Sequence, residues 1–315
     1  TTPRIQDFWI STNIYMTCDV STTPSDVSNF LDNAEMLDKN RSATIQLTAG
    51  TYTFTDAKFT YNPMRSSYLN ILGNSASRGD YVIRFSMGVS YYNETVFILY
   101  GGYVTINGIT FKNIGAEDTI NCIGNQPINT PCYLGVYNCT IESFEQGVSS
   151  SLHTYSRITN SFMSNCVYGI KSSYHTRVDI EDVTIWGNSS VVNSYGLYGQ
   201  FYGGLYHNRG QLYIAGCTNG IFLSDQGQFI VDENVATVGY ITNFIVGIRA
   251  TNKSFIYIPS TASYYCRSSG HIPLYMSYGS FMRWLSPIDQ GPGFISTCDP
   301  DTWSTTNGTG GIIYK

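Results

Sequence analysis

Residues 152–187 read LHTYSRITNSFMSNCVYGIKSSYHTRVDIEDVTIWG, and this stretch decides the fold. His-Thr stands at 153–154 and again at 175–176, and in each copy a short polar residue, Asn160 or Asp182, follows seven residues after the histidine. A step of 22 is the length of a small structural repeat, and periodicity has to be settled before single elements are assigned. Working outward, a glycine followed by an aliphatic residue recurs at Gly147-Val148, Gly169-Ile170, Gly196-Leu197, Gly220-Ile221 and Gly247-Ile248. A second marker is a short residue that opens an alternating run. It recurs as Gly108-Ile-Thr-Phe111, Asn138-Cys-Thr-Ile141, Asn160-Ser-Phe-Met163 and Asp182-Val-Thr-Ile185.

Apolar residues in these segments recur at every second position, as in Val178 and Ile180, which is strand periodicity and not helical periodicity. A strand-turn-strand unit of about 22–27 residues, stacked on itself, is one coil of a parallel β-helix, whereas a propeller blade needs about 40. The expected fold is therefore all-β: a single-stranded parallel β-helix. Register then sets expectations that can be checked. Three residues ahead of each glycine stand Phe144, Cys166, Asn193, Cys217 and Phe244, which should form one column. Cys166 and Cys217 lie two rungs apart, about 9–10 Å, too far for a disulfide. They are read as buried free thiols. Arg157 should lie beside Asp179, and Thr159 beside Glu181.

The segment TTPSDVSNFLDNAEMLDKN places Val27, Phe30, Leu31, Ala34 and Leu37 at helical spacing behind Pro24 and Ser25. A short N-terminal capping helix is expected here, plugging the open end of the cylinder just before a first strand in IQLTAGTYTF. The chain divides into an opening with the capping helix and first strand (1–60), the β-helix (61–280) and a Pro/Gly-rich cap or assembly segment (281–315).

Of the 315 residues, 42% are hydrophobic and only 12% charged, about half the usual charged share. Tyrosine (26) and glycine (30) are abundant, and the net charge is −5. Such a balance disfavours nucleic acid and anionic membrane as partners. No apolar run is long enough for a membrane span and no secretory leader is read, while a threonine at position 1 is expected of a processed or excised piece. None of the eight cysteines forms a CxxC pair, so neither a zinc site nor a redox dithiol is expected. Asn138, Asn188 and Asn252 open glycosylation sequons, which matter only in a eukaryotic secreted protein.

Asn138-Cys-Thr-Ile, QGVSSS, Asn160-Ser-Phe-Met and YGIKSS together resemble the coil repeat of the pectate-lyase-like right-handed β-helix superfamily. The helix followed by ATIQLTAGTYTF resembles the start of β-helix modules in bacteriophage tailspikes and tail fibres. The resemblance spans about residues 20–280. It implies the right-handed form of the single-stranded parallel β-helix. It also implies a homotrimer on a virion tail that recognises, and often cleaves, bacterial surface polysaccharide; no cofactor is expected. The clustered acidic residues of calcium-dependent pectate lyases are missing, as are the Asn-Thr-Asp and Asp-Asp motifs of polygalacturonase-like hydrolases.

Glycoside hydrolysis needs two carboxyl groups at a set separation. Asp179 and Glu181 in RVDIEDV are two apart on one strand face and should point outward, because Ile180 points in. With Glu142 they are the candidate catalytic residues, and Glu145 is a further outward carboxylate. Arg157 could tune such a pair; alternatively Asp179 and Arg157 form a surface ion pair between rungs. His153 and His175 share a column, but no third ligand accompanies them and a copied turn residue explains them as well. In NSYGLYGQFYGGLYHNRG, preceded by Trp186, Tyr195, Tyr198, Tyr202 and Tyr206 sit in a coil longer than its neighbours, expected to stand out from the wall. With Arg157 and Trp186 these are candidate substrate-binding residues, since aromatic faces suit sugar rings and equally suit a subunit interface. Three readings stay open: a spike that binds a glycan, a spike that also acts as endoglycosidase or lyase, and a bacterial adhesin exported to a cell surface.

Overall fold

The computed structural model describes residues 9–88, 94–115, 119–125, 132–187, 191, 193–235, 237–242, 244–267, 272–284 and 312–314. The chain winds as a parallel β-solenoid of about nine turns. Among the described residues its strands form an 18-stranded and a 9-stranded sheet. The larger sheet wraps two walls of the cylinder, because strands such as Tyr155–Cys166 and Arg177–Gly187 bend midway, at Asn160 and Asp182. The smaller sheet makes the third wall.

Five successive coils pass from the first wall to the second at a corner where the backbone is left-handed. Gly108, Asn138, Asn160, Asp182 and Gly210 all have φ between 45° and 72°. That is why the second sequence marker is always short: glycine, asparagine and aspartate tolerate this conformation best. The asparagines also bond along the stack, Asn160 Nδ2 donating to Asn138 Oδ1 at 2.6 Å and Asn138 Nδ2 to Asn107 Oδ1 at 2.9 Å.

The glycine marker has a different cause. A Cβ at Gly169 would lie 2.7 Å from the carbonyl oxygen of Gly196, and one at Gly196 would lie 2.6 Å from that of Gly220. Gly147 and Gly220 meet the next rung's glycine carbonyl in the same way. Close rung-on-rung approach demands a column without side chains. Beside it Phe144, Cys166, Cys217 and Phe244 are buried as expected, whereas Asn193 is exposed, in the one coil lengthened after Gly187.

The interior is built from inward columns. Ile45, Ile71, Ile106, Val136, Ile158 and Ile180 lie one above another in register. Each is fully or almost fully buried, worth about 1.5–3 kcal/mol apiece. The column then changes character: the rung after Ile180 carries His207, also without solvent exposure. Its Nδ1 shares a hydrogen bond with the hydroxyl of Tyr264, and Gly239 leaves the space that the Tyr264 ring fills. The described cysteines are free and buried, and burial pushes the Cys166 and Cys217 thiols up to about 12. Cys298 lies outside the described residues.

The helix spans Pro24–Glu35, with Thr23 and Asp26 capping each other's backbone. Val27 lines the same apolar interior as Cys18, Ile45 and Leu47, so the helix closes this end. One expectation is corrected. The helix does not precede the first strand, because Ile14–Cys18 pairs in parallel with Ser42–Leu47 ahead of it. That strand's side chains alternate, Tyr15 and Thr17 exposed while Ile14 and Met16 pack partly buried against the core and Cys18 is buried. The expected sequon at Asn188 and the segment 285–311 lie outside the described residues.

Candidate functional site

On the first wall of the large sheet, outward residues repeat at the rung spacing of about 4.8 Å, close to ring-stacking distance. Tyr68, Tyr103, Tyr133 and Tyr155 occupy one such column. Their ring centroids are separated by 5.1, 6.2 and 5.3 Å. Tyr68, Tyr103 and Tyr155 are 41%, 41% and 37% exposed. The next position is Arg177, whose guanidinium lies 5.9 Å from the Tyr155 ring and 4.4 Å from that of Tyr206. The tyrosines were not among the residues singled out from sequence. A signal was there: YLNI, YVTI, YLGV and YSRI each stand at the first or second position of a strand, with tyrosine three residues ahead of an inward aliphatic.

The ladder runs into the carboxylates. Arg157 stands beside Asp179, and Thr159 beside Glu181, as the repeat requires. The pairing differs from that expected. Arg157 reaches diagonally to Glu181, its Nη2 donating to Oε1 at 3.0 Å and Oε2 at 2.9 Å. Arg209 Nε donates to the same Oε2 at 2.9 Å. Asp179 is taken by Arg177 Nε at 2.7 Å and by the Tyr155 hydroxyl at 2.5 Å. Both carboxylates belong to the outward side of the strand, yet they are only 4% and 3% exposed, because the arginines lie across them. Hydrogen bonding to these carboxylates raises the Arg157 and Arg177 guanidiniums above their ordinary range. Burial, then the bond to Asp179, pushes Tyr155 up to about 12.

All four carboxyl oxygens thus accept hydrogen bonds from the protein itself. Partly exposed at this site are the guanidinium-bearing side chains of Arg157, Arg177 and Arg209, with the rings of Tyr155 and Tyr206 packed beside Arg177. Such a surface can stack on rings and donate to hydroxyl or acidic groups.

The other candidates are not gathered here. Glu142 lies past the asparagine corner on the second wall, paired with Lys112 at 3.1 Å. Trp186 shares that wall, two rungs from Glu142, and is largely exposed. Tyr195 and Tyr198 lie on the small sheet, half-buried, with Tyr168 stacked on Tyr195 at 4.9 Å. Lys171 sits over Tyr168 and Tyr198, 5.4 and 5.9 Å from their centroids. Burial lowers its ammonium and raises the nearby Glu145. The stretch 195–206 does not protrude: Tyr195–Gln200 and Gly204–Ala215 are wall strands. Register leaves the extra residues of this coil between Gly187 and Tyr195. Tyr202 is a turn residue stacked on His175 at 4.5 Å, and His175 stacks on His153 at 5.1 Å. Both histidines are left-handed turn residues repeated with the coil. Among the described residues no group of three or more His, Cys, Asp or Glu could hold a metal ion.

No family model, curated protein or solved structure matches this chain.

Proposed function

We propose that the protein is a receptor-binding module of a virion tailspike or tail fibre, acting as a homotrimer that docks on bacterial surface polysaccharide. The observation that carries this reading is the ladder of Tyr68, Tyr103, Tyr133 and Tyr155 running into the Arg177 and Arg157 guanidiniums. Tyrosine rings one rung apart, stacked or tilted against one another, present a rigid strip of ring edges and hydroxyls to a sugar chain at low entropic cost. The arginines beside them offer fixed donors for hydroxyl, carboxylate or phosphate groups. A flat, open strip suits a long repeating polymer better than a single small molecule, which prefers an enclosed pocket.

The same arrangement supports binding over cleavage. A general acid must present a proton to the leaving oxygen, and Asp179 and Glu181 instead accept bonds from arginine and tyrosine. The reading is tested by passing the protein over immobilised capsular and lipopolysaccharide from a panel of bacteria, then sizing the polysaccharide chains. Retention on at least one polymer with its chain length unchanged is expected. Failure to bind any polymer would remove the reading, and shortened chains would turn it into a depolymerase. Light scattering tests the assembly, with three times the chain mass expected.

A further inference from the structure

The corner between the small sheet and the first wall is a stack of two-residue left-handed turns. They fall at Leu152-His153, Tyr174-His175, Phe201-Tyr202, Asp225-Gln226, Asn252-Lys253 and Tyr278-Gly279, and every one of these residues has positive φ. Because the turns share one geometry, their side chains line up in two parallel files along the solenoid edge. Tyr174 stacks on Phe201 at 5.0 Å, just as His175 stacks on Tyr202.

The first file, through Tyr174, Phe201, Asp225, Asn252 and Tyr278, is aromatic, then polar, then aromatic again, while the second passes from His175 and Tyr202 to Gln226, Lys253 and Gly279. Between the Phe201-Tyr202 rung and Tyr278 lie two polar rungs, and the gap is an open groove of about 460 Å³. Its floor holds Asp225, which accepts from Asn252 Nδ2 at 2.9 Å, together with Gln226 and Lys253. The aromatic walls stand three rungs apart, about 14 Å. Tyr278, at 58% exposed, is the most open side chain of the groove's aromatic set.

From this juxtaposition we infer that the turn groove is a second carbohydrate site, taking a neutral di- or trisaccharide segment. Phe201, with Tyr202 beside it, and Tyr278 meet the ring faces at either end. Asp225 and Lys253 together supply an acceptor and a donor for neighbouring hydroxyls, with charges that cancel. The inference extends the glycan reading of the sheet face to a separate edge of the cylinder, and it stands or falls on different residues.

Isothermal titration of the intact chain with maltotriose, cellotriose, mannotriose and chitotriose tests it. At least one of these should bind the unmodified protein at millimolar concentration. Y278N and D225N, chosen to keep the left-handed turn, should each weaken that binding about tenfold, and R84Q at an exposed side chain of the second wall should leave it unchanged. If a trisaccharide binds but only Y133A on the sheet face weakens it, the groove inference is overturned while the sheet-face reading stands. If none binds, the groove inference is overturned, and polysaccharide retention still decides the sheet face separately. Should Y278N or D225N lower the melting midpoint, K253Q at an exposed side chain supplies the same comparison, and unchanged affinity there also overturns the groove.

Discussion

His207 interrupts an otherwise aliphatic inward column, and its burial makes the solenoid acid-sensitive in a calculable way. Desolvation holds its imidazole down at about 4 in the folded chain, against an ordinary value of 6.5. A depressed imidazole stays neutral in the core while the unfolded chain protonates. Its contribution is therefore fully retained above pH 6.5, is lost as pH falls towards 4, and levels off below that. The full difference corresponds to about 3 kcal/mol, of which about 2 kcal/mol is lost between pH 7.5 and pH 5. Spread over the unfolding entropy of a chain this long, that is about 3 °C in melting midpoint. The assay is thermal unfolding of the unmodified protein and of H207Q at both pH values, glutamine keeping a polar partner for the Tyr264 hydroxyl. Other titrating groups cancel in the comparison, so the unmodified protein should lose about 3 °C more than H207Q on acidification. Equal losses would refute the account of His207 as a neutral core residue.

Placing a methyl group in the glycine column should be costly: G169A puts a Cβ 2.7 Å from both the Gly196 carbonyl oxygen and the Ile185 Cγ2, and chemical denaturation should show a loss of about 1–3 kcal/mol. E181Q removes the shared counter-charge of Arg157 and Arg209, and should lower stability by about 1–2 kcal/mol after allowing for the exposure of both arginines. Cys166 and Cys217, both buried, should resist an aqueous thiol reagent in the native protein and react on unfolding; rapid native labelling of either would contradict their place in the core. Y103A paired with Y133A should cut retention on the bound polysaccharide at least tenfold while leaving the melting midpoint within a few degrees.

Features fixed by backbone periodicity were legible in the sequence. The short residues at Gly108, Asn138, Asn160 and Asp182 mark left-handed corners, and the Gly147–Gly169–Gly196–Gly220 column marks close rung contact. Both recur because successive coils in the middle of the stack meet the same steric demand, so period alone reveals them. The adjacency of Arg157 to Asp179 follows from the same register. Which carboxylate the arginine reaches does not. A long flexible side chain can bond straight across or diagonally, and the choice of Glu181 depends on Arg177 and Tyr155 already occupying Asp179. That choice also explains why two carboxylates on an outward face are buried.

The aromatic residues divide along similar lines. Tyr195, Tyr198, Tyr202 and Tyr206 are close in sequence, but a coil carries consecutive segments onto different walls, so they end on three separate surfaces. Tyr68, Tyr103, Tyr133 and Tyr155 are far apart in sequence and adjacent in space. In a solenoid, neighbours on the surface are a full turn apart in the chain, and the unequal lengths of the first coils hide that relation from a search at fixed period. The strand Ile14–Cys18 was hidden for another reason: it alternates as a wall strand should, but it is five residues long and the helix separates it from the coil it pairs with.

The most direct test is a crystal structure of the protein soaked with an oligosaccharide repeat of the polymer that retains it. Sugar rings lying over Tyr103, Tyr133 and Tyr155, with polar substituents at Arg177 and Arg157, are the predicted result. Clear density for the sugar elsewhere, with the tyrosine ladder bare, would contradict the account.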